Sequence, residues 1–543
     1  MPATMPSTGT ALRPQPPAPS RRARHAGHAH KATGRSSELL ARGRRALLCL
    51  ALAPVDLALA VAGPRYRAFI WLLATCPPRL LAALGRWRAL RAYEHATRTV
   101  PAYRRFIAAH DPGEVDPGRL RLPATDKANY VRRYPIPERC AGGALPRRGV
   151  AIDESSGSTG TPYNWVRSRE ERTVTHLFIS HFTRYSFGDA PWVTINAFSM
   201  GAWATGANMG VALQRNGVVK NTGPDVDKIL GTLTAFGSDR PYLVCGYPPF
   251  LKHLIDAAAE RGFPLGGYRL AGLVGGEGMA EGLRDYLSQV FTPVYSGYGA
   301  TDLEIGMAGE TPLCVALRRA ARDDPRLPML FQYNPLSHHI TVTADGELVV
   351  TISRLHLLSP RIAYNIHDQG GAASYAELER RCRAAGRSLG ELAAAARLAT
   401  PAGPASRRPL RLPFLWVHGR TDSTISVMGA NVYPEDLEQA LYNEPALAAV
   451  TSSFCLGVRE EPGGALRPRF SFEVRAPITA ELRRAFQERV VAQMQAMNAD
   501  FRTAMLEHAG SVTPAVELHP PGGGPFAADQ ARIKQVRLLR GGA

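Results

Sequence analysis

Between residues 86 and 419 the sequence alternates helix-length stretches with short β-branched or aromatic runs, and this alternation restricts the chain more than any other feature. Trp192-Val193-Thr194-Ile195, Tyr242-Leu243-Val244-Cys245 and Gly346-Glu347-Leu348-Val349-Val350-Thr351-Ile352 are such runs. Strands separated by helices build a sheet with helices on its faces, so the expected body is α/β with a largely parallel sheet. At 543 residues the chain exceeds one compact core, and two or more domains are expected. Residues 399–413, rich in Pro, Ala and Arg, read as an exposed connection. After them a smaller C-terminal part is expected, with strands near 423–427 and 469–474 and a helix over 480–496.

Chemistry enters with the octapeptide Ser155-Ser156-Gly157-Ser158-Thr159-Gly160-Thr161-Pro162. Hydroxyls interleaved with two glycines can present O–H and N–H donors to a polyphosphate without steric cost. No Gly-Lys-Ser/Thr follows, so a Walker loop is excluded. By composition alone the string reads equally as a flexible linker.

Two further segments give it a context. One is Gly275-Gly276-Glu277, followed by Val294-Tyr295-Ser296-Gly297-Tyr298-Gly299-Ala300-Thr301-Asp302. The other is Gly419-Arg420-Thr421-Asp422, continuing to Asn431-Val432-Tyr433-Pro434-Glu435-Asp436. Val244 to Pro248 and Arg361 through Tyr364 to Asp368 add smaller matches. In this order the segments resemble the adenylate-forming ligase superfamily, most closely its phenylacetate-CoA ligase-like branch. The resemblance runs from about Tyr93 and fades in the last thirty residues.

That resemblance implies an α/β fold: a large adenylate-forming N-terminal body over 65–419 and a small mobile α+β C-terminal domain over 420–543, preceded by a tail over 1–64. It implies a ligase that uses ATP and Mg²⁺ to activate a carboxylic acid as its adenylate and passes the acyl group to CoA. Ser155, Ser156, Ser158, Thr159 and Thr161 would hold the β- and γ-phosphates, with Gly157 and Gly160 allowing close approach. Thr301 would meet the α-phosphate, and Asp302, where the family usually has glutamate, would bind Mg²⁺. Tyr298 would stack on adenine beside Gly299, and Gly276 and Glu277 would line the base. Asp368 would hold the ribose hydroxyls, although His367 stands where glycine is common. Arg420 and Asp422 match the hinge about which the small domain swings. Lys534 is favoured over Arg532 for the lysine aimed at the α-phosphate. Trp192, Phe198, Met200, Trp203 and Tyr247 fall where the family builds its acyl pocket.

Charge and cysteines bound the alternatives. The net charge is +19, and residues 1–45 hold nine Lys/Arg against one acid, which reads as a disordered basic tail. No zinc-finger or stacking motif accompanies it, so no nucleic-acid partner is expected. Residues 46–63 are apolar but interrupted by Pro54 and Asp56, and residues 65–105 fit an amphipathic helix that either packs on the body or touches an anionic membrane. Seven unpaired cysteines point to a reducing, cytoplasmic compartment. His338 and His339 read as surface residues. Gly386-Arg387-Ser388-Leu389-Gly390 fits the hydrolase nucleophile-elbow pattern, but helical sequence precedes it where a strand is required. A second class of reading is a non-catalytic descendant that binds nucleotide or acyl groups for a membrane-associated polysaccharide or lipid pathway.

Overall fold

The computed structural model describes residues 43–110, 120–154, 163–200, 204–322, 327–398, 410–420, 425–427, 430–460, 466–507, 512–527 and 538–539. The chain divides into two compact units, Met1–Val55 and Asp56–Ala543.

An eleven-stranded sheet dominates the second unit. Its parallel half is β3 (Val193–Asn196), β4 (Val218–Asn221), β5 (Pro241–Gly246), β6 (Arg269–Gly275) and β7 (Phe291–Tyr298), in the order β4-β3-β5-β6-β7. β3, β5 and β6 are buried almost end to end, as expected of strands covered on both faces. The other half continues through β8 (Ala308–Gly309), β9 (Met329–Tyr333), β13 (Phe414–Arg420), β12 (Tyr364–Ala373), β11 (Glu347–Ile352) and β10 (His338–Val342). Each of those pairings is antiparallel. The sheet is therefore mixed, where the sequence suggested largely parallel pairing. The cause is local: β10 and β11 are joined by a short turn at Asp345-Gly346, which only antiparallel strands can use.

A separate hairpin, β1 (Val150–Glu154) with β2 (Asn164–Ser168), flanks the hydroxyl-rich octapeptide, whose residues 155–162 lie outside the described ones. The hairpin β14 (Ile425–Val427) with β15 (Ala430–Val432) begins the C-terminal part. There β16 (Thr451–Glu460), β17 (Leu466–Val474), β18 (Ala515–His519) and β19 (Leu538–Leu539) form a four-stranded sheet in the order β18-β17-β16-β19. Phe454, Phe470, Phe472, Phe486 and Val490 fill its own core, each such burial contributing about 1.5–3 kcal/mol. The expected helix is present as Ala480–Ala485, a π turn at Phe486–Val490, and Val491–Met497.

The N-terminal segment is helical. Of the described residues one helix, α1 (Gly43–Ala62), is long and apolar enough to cross a membrane by length and composition. Neither Pro54 nor Asp56 interrupts it, and the Asp56 carboxylate is paired with Arg88 and Arg91. Residues 65–105 form three helices rather than one: α2 (Tyr66–Thr75), α3 (Pro78–Thr99) and α4 (Pro101–His110). The second half of α3 is packed on the body, where Arg88 Nε donates to the Leu336 carbonyl at 2.8 Å.

Candidate functional site

The site is built at the carboxyl ends of β6 and β7, where open α/β sheets bind their ligands. β6 ends at Gly275, paired with Gly297 of β7, and the two motifs Gly275-Gly276-Glu277 and Tyr298-Gly299-Ala300-Thr301-Asp302 leave side by side. Gly299 is required by space: a Cβ there would lie 2.5 Å from the Glu304 carbonyl oxygen.

One helix holds the segment that follows. α5 (Arg169–Phe187) starts at a capping box between Ser168 and Glu171, with Ser168 Oγ accepting from the Glu171 N–H at 3.1 Å. Glu171, Thr175, Ile179 and Phe182 recur at helical spacing and share one face. That face follows the chain from Leu303 to Gly309. Glu171 binds Arg361 at 2.7 Å, and both Arg361 and Arg167 donate to the Leu303 carbonyl at 3.0 Å. Thr175 bonds to Glu304, Ile179 packs on Gly306, and Phe182 on Gly309. Glu304 is further bound by His338 and Arg354, which hold its carboxyl far below the usual range although burial opposes this. His338 is thus a buried anchor, not the surface residue that the sequence suggested.

β2 fixes the motif from the other side, because Trp165 and Arg167 project from the same face of a strand. Arg167 Nη2 donates to the Thr301 carbonyl at 2.6 Å, and Trp165 Nε1 donates to Asp302 Oδ1 at 2.8 Å. Asp302 Oδ2 stands 3.0 Å from Lys127 Nζ. Lys127 opens a turn capped by Asp126, which bonds the Asn129 N–H at 2.7 Å. Just before it, Thr125 bonds Ala363 and Asn365 along the edge of β12, and so delivers the lysine to Asp302.

Tyr298 donates its hydroxyl to Asp368 Oδ2 and stacks on Phe331 with ring centroids 5.5 Å apart. Asp368 is buried and pairs across the sheet with Arg420 of β13. His367 takes a left-handed φ of 65°, the conformation that glycine adopts freely. Its N–H bonds Asn365 Oδ1 at 2.8 Å. Gly419 has a φ of 152°, and a Cβ there would come within 2.7 Å of Glu435 Oε2. Burial raises the Glu435 carboxyl to about 8, with Asp436, Glu438 and Asp368 adding to the effect.

Thr301, Asp302, Gly276, Glu277, Tyr298, Gly299 and Asp368 are thus placed around the ends of β6, β7 and β12. Ser155, Ser156, Gly157, Ser158, Thr159, Gly160, Thr161, Asp422, Lys534 and Arg532 lie outside the described residues, as does the side chain of Arg420. No group of three His, Cys, Asp or Glu suited to a metal occurs among the described residues. The arrangement still fits Mg²⁺ held jointly with a substrate, since that ion takes one or two carboxylates plus phosphate oxygens and water. Asp302 keeps acceptor capacity beyond its bonds to Trp165 and Lys127.

A cavity of about 100 Å³ adjoins these motifs, lined by Gly275, Gly276, Tyr298, Thr301 and the apolar Phe198, Met209, Ile179 and Phe182. Of the aromatic candidates, Phe198 reaches it, and Tyr247 packs edge-on against Phe198 at 5.2 Å. Trp192 packs against Phe187 instead, Met200 is not in the lining, and Trp203 lies outside the described residues. Sequence reasoning missed Lys127. A signal was present: only six of the 65 cationic residues are lysines, so each lysine in so arginine-rich a chain marks a position worth inspection.

No protein-family model matches this sequence, and neither does any curated protein sequence. Solved structures do match. A 2-hydroxyisobutyryl-CoA ligase in the postadenylation state, in complex with R3-HIB-AMP, gives a TM-score of 0.57 at 15% identity, over 84% of this chain and 89% of that one. The chain has the adenylate-forming ligase fold. The same ligase with 2-HIB-AMP gives 0.57 at 14% identity, over the same shares. Within this fold, Gly275 to Glu277 and Tyr298 to Asp302 lie at the ends of β6 and β7, and Asp368 of β12 meets Tyr298 there.

Proposed function

We propose that this protein is an ATP-dependent carboxylate ligase of the phenylacetate-CoA ligase-like branch, which activates an acid as its acyl-adenylate and passes the acyl group to CoA. The observation that carries the reading is the cluster of Thr301, Asp302, Lys127, Tyr298 and Asp368 beside a largely apolar cavity. An acid held in that cavity would direct its carboxylate at the α-phosphate. A carboxylate oxygen forms the new bond to phosphorus, the bond to the bridging oxygen breaks, and pyrophosphate leaves with the electron pair. Such chemistry depends on neutralising phosphate charge in a site pre-arranged for it.

In this reading Asp368 holds the ribose hydroxyls, Tyr298 covers the adenine, and Thr301 with Lys127 meets the phosphates. Mg²⁺, held by Asp302 together with phosphate oxygens, would neutralise further charge. Ser155, Ser156, Ser158, Thr159 and Thr161 belong to the phosphate-binding loop, and the tie of β2, which follows them in sequence, to the Thr301–Asp302 segment supports this. Residues 420–543 act as a domain that moves about Arg420 and Asp422 and carries Lys534 to the α-phosphate.

Contact with an anionic membrane through α1 and α2 belongs to the same reading, for a chain that otherwise resides in the cytoplasm. Leu57, Val61 and Trp71 are exposed, and the neighbouring Arg65 and Arg67 are exposed cations. Pyrophosphate release across a panel of carboxylic acids, with and without CoA, tests the activity. Co-sedimentation with anionic but not zwitterionic vesicles, lost at high salt, tests the membrane contact.

A further inference from the structure

A second apolar cavity, of about 90 Å³, lies behind the first. Phe182, Gly306 and Ala308 line both. The Phe182 ring is the partition: it rests on Gly309, where a Cβ would fall 2.2 Å from ring carbon Cε2. Beyond it, Phe69, Ile70 and Leu73 of α2 and Leu410 and Leu412 line the second cavity.

The first cavity is smaller than the engineered cavity of about 150 Å³ that holds benzene, whereas the two together exceed it. An acid confined to the first must be small. The second has a chemical signature of its own, because two histidines stand in its lining. His181 Nε2 lies 2.7 Å from the Gly63 carbonyl oxygen, which only accepts, so that nitrogen carries the proton. His338 Nε2 lies 3.0 Å from the Glu304 carboxylate and is protonated for the same reason. Burial lowers the pKa of both rings and so disfavours a second proton on either, although Glu304 opposes this at His338. Each Nδ1 is therefore an acceptor, buried and without a partner among the described residues. Buried polar atoms in folded proteins are nearly always satisfied, and a ligand donor would satisfy these.

Building on the ligase reading of the same site, we infer that the acid passes Phe182 into the second cavity, and that its class is an elongated apolar carboxylic acid with a hydroxyl at the far end. The hydroxyl donates to Nδ1 of His181 or His338, and the carboxylate remains at Thr301.

Binding of butyrate, octanoate and 8-hydroxyoctanoate to the full chain, measured by calorimetry, tests this without relying on turnover. Octanoate is expected to bind more tightly than butyrate, and the terminal hydroxyl is expected to add up to about tenfold. Leu73→Trp, which fills the second cavity from α2, should remove the preference for the longer acids. His181→Phe should shrink the advantage of the hydroxyl. Equal binding of butyrate and octanoate by the unaltered protein overturns the proposal, as does a folded Leu73→Trp variant with unchanged preference. If Leu73→Trp does not fold, the ranking of the three acids by the unaltered protein and by Phe182→Leu decides. Pyrophosphate release with butyrate but rejection of the longer acids refutes the extended site alone. Tight binding of 8-hydroxyoctanoate with no pyrophosphate release from any acid refutes the ligase reading alone.

Discussion

Lys127 Nζ stands 3.0 Å from Asp302 Oδ2, an ion pair that joins the turn after Thr125 to the segment leaving β7. In the proposed ligase reading, this cation and carboxylate would face a phosphate and its metal. Asp302→Ala is expected to weaken Mg·ATP binding about tenfold or more, in line with loss of a charge-assisted contact. Lys127→Met is expected to reduce nucleotide affinity, and to cost some thermal stability because the Asp302 carboxylate it leaves is buried. Unchanged Mg·ATP affinity in Asp302→Ala, measured by calorimetry, would remove Asp302 from the metal site.

Asp368 accepts the Tyr298 hydroxyl and retains acceptor capacity for a vicinal diol. Asp368→Asn should lower ATP affinity by about 1.5–3 kcal/mol and reduce discrimination against 2′-deoxy- and 3′-deoxy-ATP. Tyr298→Phe should have the smaller effect on that discrimination. Competition binding with the three nucleotides reads this directly. Full retention of discrimination in Asp368→Asn would place the ribose elsewhere.

Glu435 sets a pH dependence. Its carboxyl is raised from about 4.3 in an unfolded chain to about 8 in the fold. Between those values the folded protein holds a proton that the unfolded chain has lost, so stability falls as pH rises through this window. The contribution is complete below about pH 4.3 and gone above about pH 8. Denaturant melts should show that slope in the unaltered protein and a flatter profile in Glu435→Gln. A slope unaffected by the substitution would show that another group titrates.

Glu171 lies between Arg167 and Arg361, all three buried, and burial lowers Arg361 to about 10. Removing the carboxylate leaves two buried guanidinium groups with less compensation. Glu171→Gln is expected to cost about 3–5 kcal/mol in urea unfolding, the usual cost of breaking a buried pair. A loss below about 1 kcal/mol would mean that solvent reaches these arginines.

Much of this was legible in the sequence because glycines and turn residues carry geometric information. Gly299 and Gly419 stand where only glycine fits, and His367 takes a left-handed backbone that glycine adopts freely. The parallel half of the sheet followed from buried β-branched runs. Its antiparallel half did not, because strands such as β8 have only two residues and give no periodic signal. Lys127 was hidden for another reason: 175 residues separate it from Asp302, and the pairing exists only once Thr125 has docked on β12. Phe182 was missed because a phenylalanine on an amphipathic helix is usually core. Only the fold shows that it lines two cavities.

The central claim is acid-dependent adenylation, and exchange of labelled pyrophosphate into ATP measures that step alone. The unaltered protein should catalyse exchange that depends on an added carboxylic acid. Lys534→Ala should lower the rate about a hundredfold or more while nucleotide affinity stays within a few-fold. Loss in Arg532→Ala but not in Lys534→Ala would move that role by two residues. Nucleotide binding without exchange for any acid would contradict the account and leave a non-catalytic nucleotide-binding protein.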